Sequence, residues 1–474
     1  MIYALIIIAV VFIMYGRTLK YGLCIGSFEV AKRSVGKEKP KSFWVRLYLS
    51  WQGIYYNSKE LPMAHAITFL LHLGNSLMVY YAFGHNWISF LTAILFCIHP
   101  AGTQGSVWLS GKAYSTAVFC TLLMYSTKWF APIFYYCAFT YGGFSATFTP
   151  LIFITSKFWP IAFVIPFAVI LIFKKRIKDA LGAKWKITPA STRKPSLKRI
   201  ILYFKTLGYY TCLSLVPLRL GVYHNYLYTY GLTEADTKKW HKPDLYAVLG
   251  LAVFAFTGYC FFAHYSSPVT LGLVWFLILI SQWCNFPTTL QQAIAERYLN
   301  LPLVGAMYAL VNGIYLIPDP TIRAFLLGAF IIGFAVRLNV HIPSYRNIHF
   351  QIDHNLVNFP ECYAIWTWKG QEEKNRGAFF TALEAWFQGW KLRKIDFRLN
   401  NNIAVLLTQV GQLDQAKSFL KLAEQNIPPD QMEAGLEYIR NGMNDILEVK
   451  RQADLDARKN KSNIILPGGN RNSN

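Results

Sequence analysis

The chain has 474 residues, of which 54% are hydrophobic, 16% aromatic and only 15% charged, and 47 Lys and Arg against 24 Asp and Glu leave a formal charge of +23. With a mean hydropathy of +0.28 it presents too little polar surface for an ordinary soluble globule, and several apolar runs approach the length that crosses a bilayer. No nucleic-acid-binding motif accompanies the positive charge, so its partners are read as anionic headgroups or phosphorylated lipids and not nucleic acid.

Taken in order, the apolar runs fall at about Ile2–Tyr15, Pro62–Phe83, Trp87–Ile98, Gln104–Met124, Trp129–Tyr141, Phe158–Phe173, Ile200–Leu218, Leu245–Ala263, Val269–Cys284, Leu301–Ile317 and Ile322–Val336. They predict an all-α, polytopic membrane protein with about eleven transmembrane helices over residues 1–340. Met1–Tyr15 has no basic leader and no small-residue cleavage site, and reads as a first transmembrane helix rather than a cleaved signal. The 8 cysteines form no CxxC pair and no zinc spacing, so they read as small buried apolar residues.

Orientation follows from the basic loops. Residues 174–199 hold ten Lys or Arg against one Asp, which places that loop in the cytoplasm. Counting spans from it puts the N-terminus in the cytoplasm and the C-terminal domain outside, in a lumen or periplasm. The loop 16–61 then lies outside although it carries nine Lys or Arg against three Glu. Either it holds an external lipid phosphate or the span count is off by one. Within it, Phe43–Tyr56 is aromatic and amphipathic, which suits a helix in the membrane interface or one packed on the bundle.

From about residue 341 the chain turns polar. Gly377, Ala382, Trp386 and Gly389 recur 34 residues later as Gly411, Ala416, Leu420 and Ala423, followed by Pro428. Small residues where two helices touch and a large apolar residue filling the gap match the tetratricopeptide pattern. Asn401–Val410 and Leu413–Gln425 are the helices of the better repeat, and Gln431–Leu447 a capping helix. This gives a helical domain over 341–458 and a disordered tail over 459–474.

The most unusual stretch is His99–Ser115, HPAGTQGSVWLSGKAYS, which sets His99, Gln104, Ser110 and Lys112 between two apolar runs. Polar groups at a membrane boundary are costly unless they bind one another or a ligand. A plain interhelical loop is the alternative. Four other stretches carry chemistry: Tyr21–Arg33 with its one acid, Glu29; Leu61–Tyr81 with His65 and His72 on one helical face; Arg219–Gly231 with Arg219 and His224; and Ala295–Pro302, AERYLNLP, with Glu296 and Arg297. Two histidines without a carboxylate or third ligand do not make a metal site, so none is predicted, although a divalent ion is not excluded.

These stretches resemble, in the same order, the membrane O-mannosyltransferases that carry C-terminal tetratricopeptide repeats, a GT-C-type family. Its signature is roughly HPxHTExVxWISGRxDLL. His99, Pro100, Thr103, Val107, Trp108, Ser110 and Gly111 stand in matching places, while Gln104, Lys112 and Tyr114 replace a Glu, an Arg and an Asp. AERYLNLP is similar to the family's SERYLYLP element. The Asp-Asp pair that follows the family's first helix is replaced by Gly26 and Ser27.

The resemblance implies a polyprenyl-phosphate sugar donor, mannose-like, and transfer to a protein Ser or Thr hydroxyl on the external face. No other cofactor is implied. Glu29 would be the general base, or else a solvated acid beside Lys32 or Arg33. Arg297, with Lys112, His99, Arg219 and His224, would hold the donor phosphate, and the repeats would bind the protein acceptor. The alternative is a catalytically inactive membrane scaffold that keeps the bundle and binds proteins through its repeats.

Overall fold

The computed structural model describes residues 1–25, 61–128, 130–142, 148–155, 164, 199–227, 242–286, 290, 292–427 and 432–462. Glu29, the segment Phe43–Tyr56, the expected span Phe158–Phe173 apart from Val164, and all but Arg199 of the basic loop 174–199 lie outside these residues. Among the described residues every regular element is helical. The chain divides into two compact units, Met1–Pro360 and Glu361–Asn474, so the first runs some twenty residues past the expected boundary.

In the first unit the longer helices are α1 (Ile2–Tyr15), α2 (Leu61–Ala82), α3 (Trp87–Ile98), a single turn α4 (Thr103–Ser106), α5 (Lys112–Thr127), α6 (Ala131–Gly142), α7 (Ile200–Leu215), α8 (Leu245–Ala263), α9 (Pro268–Ser281), α10 (Pro302–Tyr315), α11 (Pro320–His341) and α12 (Ile348–Asn358). Their starts follow local chemistry. Asn86 and Ser89 close a reciprocal capping box on α3, which satisfies two of the free amides at a helix start. Asp244, Ser267, Asp319 and Asn347 cap α8, α9, α11 and α12 with side-chain acceptors, and proline opens α9, α10 and α11 where its missing N–H costs nothing.

One expected span is overturned. Gln104–Met124 is not a continuous helix, because Pro100, Gly102, Gly105 and Gly111 break the chain into two 3-10 turns and the single turn α4 before α5 begins at Lys112. By length and composition, three helices among the described residues can cross a membrane: Ile2–Lys20, Leu245–Ala263 and Pro320–Tyr345. Only 22–28% of their most apolar windows is buried. Phe12, Ile13, Leu251, Phe262, Phe325 and Val336 stand exposed along them, an apolar surface for which a bilayer is the fitting solvent. Trp87–Ile98, Pro268–Ser281 and Pro302–Tyr315 are shorter apolar helices, packed deep in the core.

Close approach is built with small residues. A Cβ on Gly208 of α7 would fall on the carbonyl of Tyr246, and one on Gly250 of α8 on the carbonyl of Phe204. The two backbones therefore touch directly, as small residues permit where lipid supplies no hydrophobic drive.

The second unit contains α13 (Tyr363–Asn375), α14 (Phe379–Leu392), α15 (Phe397–Gln409), α16 (Leu413–Gln425) and α17 (Met432–Ser462). Trp386 is its fully buried centre, donating from Nε1 to the Thr367 carbonyl at 3.0 Å. Gly377 and Gly411, the 34-residue pair, both adopt left-handed backbone at φ 80° and 83° in the turns that separate paired helices, a conformation glycine accepts without penalty. The last helix continues to Ser462, past the expected start of the tail at Lys459.

Candidate functional site

The sequence-distant polar stretches meet at one end of the first unit. His99 ends α3: its Nδ1 accepts from the Ala101 amide at 3.2 Å, and its Nε2 lies 3.0 Å from the Ser214 carbonyl at the end of α7. Both nitrogens are engaged and the side chain is fully buried, so in this arrangement the ring has none left for a phosphate. Gln104 is the hinge of the junction. Its Nε2 donates to the Gly221 carbonyl at 3.0 Å while its Oε1 accepts from the Arg297 amide at 3.2 Å. One side chain thus ties HPAGTQGSVWLSGKAYS to both the 219–227 loop and AERYLNLP. Trp108 adds a bond from Nε1 to the Ile25 carbonyl at 2.8 Å.

The 219–227 loop has little regular structure, so its backbone groups must find side-chain partners. Asn355 of α12 supplies three bonds: Oδ1 accepts from the amides of Val222 at 2.6 Å and Tyr223 at 3.3 Å, and Nδ2 donates to the Tyr223 carbonyl at 2.9 Å. Gln292 donates to the Val222 carbonyl at 2.6 Å. Glu296 accepts from the Gly221 amide at 2.5 Å. Arg219, by contrast, is exposed.

Glu296 has no solvent exposure at all. His224 Nε2 stands 3.3 Å from its Oε1, and His341 Nε2 3.4 Å from its Oε2. Neither approach has strict hydrogen-bond geometry in this arrangement. Burial alone would raise the carboxyl, but the two imidazoles outweigh it and hold the group well below the usual carboxylate range. The chain of bases continues outward. Tyr209 Oη lies 2.9 Å from His224 Nδ1, and His341 Nδ1 lies 3.3 Å from Nε2 of the half-buried His354. Because the imidazoles face different carboxylate oxygens, the three groups do not converge, and among the described residues no cluster of three or more His, Cys, Asp or Glu is arranged to hold a metal ion.

Arg297 turns the other way. Its guanidinium lies 5.4 Å from the Trp108 ring centre and 4.9 Å from that of Tyr298, and Tyr298 is itself stacked on Trp283 at 4.1 Å. Nε donates to Tyr114 Oη at 3.3 Å and Nη2 to Gln292 Oε1 at 2.7 Å. All of these partners are neutral. Among the described residues no carboxylate is paired with Arg297, although the group is half-buried and stays a cation under all ordinary conditions. Aromatic faces fix its plane and two hydrogen bonds fix its edge, leaving Nη1 without an acceptor among the described residues.

Of the sequence-derived candidates, the structure brings Arg297, His99 and His224 into one junction, places Lys112 buried at the first turn of α5, and leaves Arg219 at the exposed rim. Gln104, Tyr114, Gln292, His341 and Asn355 carry as much of the geometry. Their one sequence signal is that each is polar beside an apolar run. Of the histidine pair, His72 bonds the Cys97 carbonyl at 3.0 Å, a packing role. Comparison with family models, curated proteins and solved structures finds no match for this chain.

Proposed function

We propose that the chain is a membrane glycosyltransferase that takes a mannose-like sugar from a polyprenyl-phosphate donor and transfers it to a protein hydroxyl on the external face. The observation that carries this reading is Arg297: a planar cation, half-buried, held by aromatic rings and neutral donors and acceptors, with no carboxylate paired to it among the described residues. A guanidinium so placed is matched by a phosphate oxygen. In this reading Glu29 takes the proton of the acceptor hydroxyl, Arg219 steers the donor from the rim, and the C-terminal helical hairpins are tetratricopeptide repeats that present the acceptor. The bundle crosses the membrane with about eleven helices, its N-terminus cytoplasmic and its C-terminal unit external.

A second reading, a noncatalytic scaffold, is favoured by one specific arrangement. Gln104 and Tyr114, which replace the Glu and the Asp of the motif the sequence resembles, both bond to Arg297. The exchanges are concentrated on one cation and raise the net positive charge around it, which suits anion binding without any acid for catalysis.

Full-length protein in lipid nanodiscs, given radiolabelled polyprenyl-phosphate mannose and an acceptor peptide, separates the two. The transferase reading expects label on the peptide, loss of donor binding in Arg297→Gln, and loss of transfer with donor binding retained in Glu29→Gln. Donor binding without transfer in the wild type favours the scaffold, and absence of donor binding ends the transferase reading.

A further inference from the structure

The helix pair α1 and α11 ends in a cationic corner that the Arg297 site does not use. Both belong to segments long and apolar enough to cross a membrane, Ile2–Lys20 and Pro320–Tyr345. Their C-terminal ends are tied together. Arg17 Nη2 donates to the Asn339 carbonyl at 3.0 Å, the Gly22 amide to the Arg346 carbonyl at 2.8 Å, and Cys24 Sγ to the Tyr345 carbonyl at 3.1 Å. Arg17, Lys20 and Arg346 are all exposed there. Tyr21 follows Lys20 and precedes Gly22, the residue whose amide bonds the Arg346 carbonyl, so its phenol belongs to the same corner. Arg346 also lies over the exposed Phe350 ring, 5.4 Å from its centre. Among the described residues no ion pair joins any of the three to a carboxylate.

Just inward, the same helices expose Ile13 and Val340, at 78% and 56%. A cation a turn or two beyond a lipid-facing apolar side chain sits at headgroup depth. Three exposed cations on two segments tied together by these bonds, with a phenol on the same stretch as two of them, have the chemistry of a phosphate site in the plane of the headgroups. We propose that Arg17, Lys20, Tyr21 and Arg346 bind the headgroup phosphate of an anionic phospholipid, which clamps the ends of α1 and α11. This site does not rest on the transferase reading.

The test uses the full chain purified in detergent, incubated with an equimolar mixture of phosphatidylglycerol and phosphatidylcholine, and read by native mass spectrometry for retained lipid. The wild type retains phosphatidylglycerol in preference to phosphatidylcholine. The triple variant Arg17→Gln, Lys20→Gln, Arg346→Gln loses the preference, at about five-fold in affinity per cation. A charge-matched control, Lys391→Gln, Lys417→Gln, Lys421→Gln in the second unit, keeps it. Arg297→Gln also keeps it, which separates this site from the donor site, and inorganic phosphate at the lipid's concentration does not displace the lipid. An unchanged preference in the triple variant overturns the proposal. So does equal loss in the control, or loss in Arg297→Gln. Arg17 also bonds the Asn339 carbonyl, so stability is read in the double variant Lys20→Gln, Arg346→Gln, whose exposed side chains make no hydrogen bond among the described residues: its melting midpoint in phosphatidylcholine alone stays at the wild-type value. A lower midpoint there shows that the corner is held by the protein itself and likewise overturns the clamp.

Discussion

Removal of the Glu296 carboxylate tests the buried half of the site. Glu296→Ala strands the Gly221 amide, which has lost an acceptor at 2.5 Å, and leaves His224 and His341 without the anion they face at 3.3 and 3.4 Å. Breaking a buried pair by deleting one partner costs about 3–5 kcal/mol. Glu296→Gln keeps an oxygen for the Gly221 amide and removes only the charge, so its cost is that of one imperfect buried hydrogen bond, about 1–3 kcal/mol. For a unit of 360 residues, unfolding entropy of about 2.1 cal/mol/K per residue converts the alanine figure into a midpoint lower by about 4–7 °C. Tryptophan fluorescence in detergent reports this at one fixed scan rate, because large membrane units unfold irreversibly. Equal losses from alanine and glutamine refute the reasoning, since they mean that the Gly221 bond is worth nothing. A wild-type midpoint in both refutes it more completely.

Acid acts in one direction on this network. Glu296 has its carboxyl held at about 2 against 4.5, so its contribution is complete above pH 4.5 and is lost as pH falls toward 2. Burial pushes His354 down to about 4 from 6.5, so the unfolded chain binds the extra proton first and stability falls as pH drops from 6.5 toward 4; a midpoint that rises over that window contradicts the His354 assignment, and one that rises between pH 4.5 and 2 contradicts that of Glu296. Asn355→Ala frees three backbone groups of Val222 and Tyr223 and should cost about 2 kcal/mol or more, read as faster hydrogen exchange at those amides; Asn355→Asp, which keeps the acceptor, should cost less. Gly208→Ala drives a methyl onto the Tyr246 carbonyl and should lower the midpoint by the equivalent of about 1–3 kcal/mol, whereas Gly258→Ala on the same helix pair meets nothing within 4 Å and should be neutral or better. Trp386→Ala empties the centre of the second unit at about 3–5 kcal/mol, with loss of exchange protection confined to α13–α16.

What could be read from the sequence was what local chemistry decides. The apolar run Trp87–Ile98 coincides with a helix to the residue, and the structure shows why: an Asn–Ser capping box opens it and His99-Pro100 closes it. The start of α11 was missed by two residues, because Asp319 and Pro320 set it and not the apolar pattern. Gln104–Met124 misled for a similar reason: its hydropathy averages over two glycines, Gly105 and Gly111, that let the backbone turn, and no apolar count registers a turn. The site was half legible. Arg297 and His224 stood out as charges beside apolar runs. His341 and Asn355 did not, since each sits on a helix whose pattern gives no reason to favour it, and their roles arise when α11 and α12 close on the 219–227 loop.

The two basic loops show the same limit from another side. Net charge alone placed residues 174–199 in the cytoplasm and left 16–61 as an exception. The helix directions make the exception a consequence of the fold. α1 ends at the polar junction, where Tyr15 bonds the Cys97 carbonyl and Arg17 the Asn339 carbonyl. α7 also ends there, where Ser214 meets His99 and Pro217 meets Arg337. The segment that leaves α1 therefore joins the bundle at the junction end, and the segment that enters α7 through Arg199 joins it at the other. If both helices cross the bilayer, one basic loop must lie on each side. Whichever of them faces outward is then positive for a reason other than topology, and it is at the junction end that Arg297, Arg219 and the α1–α11 corner lie.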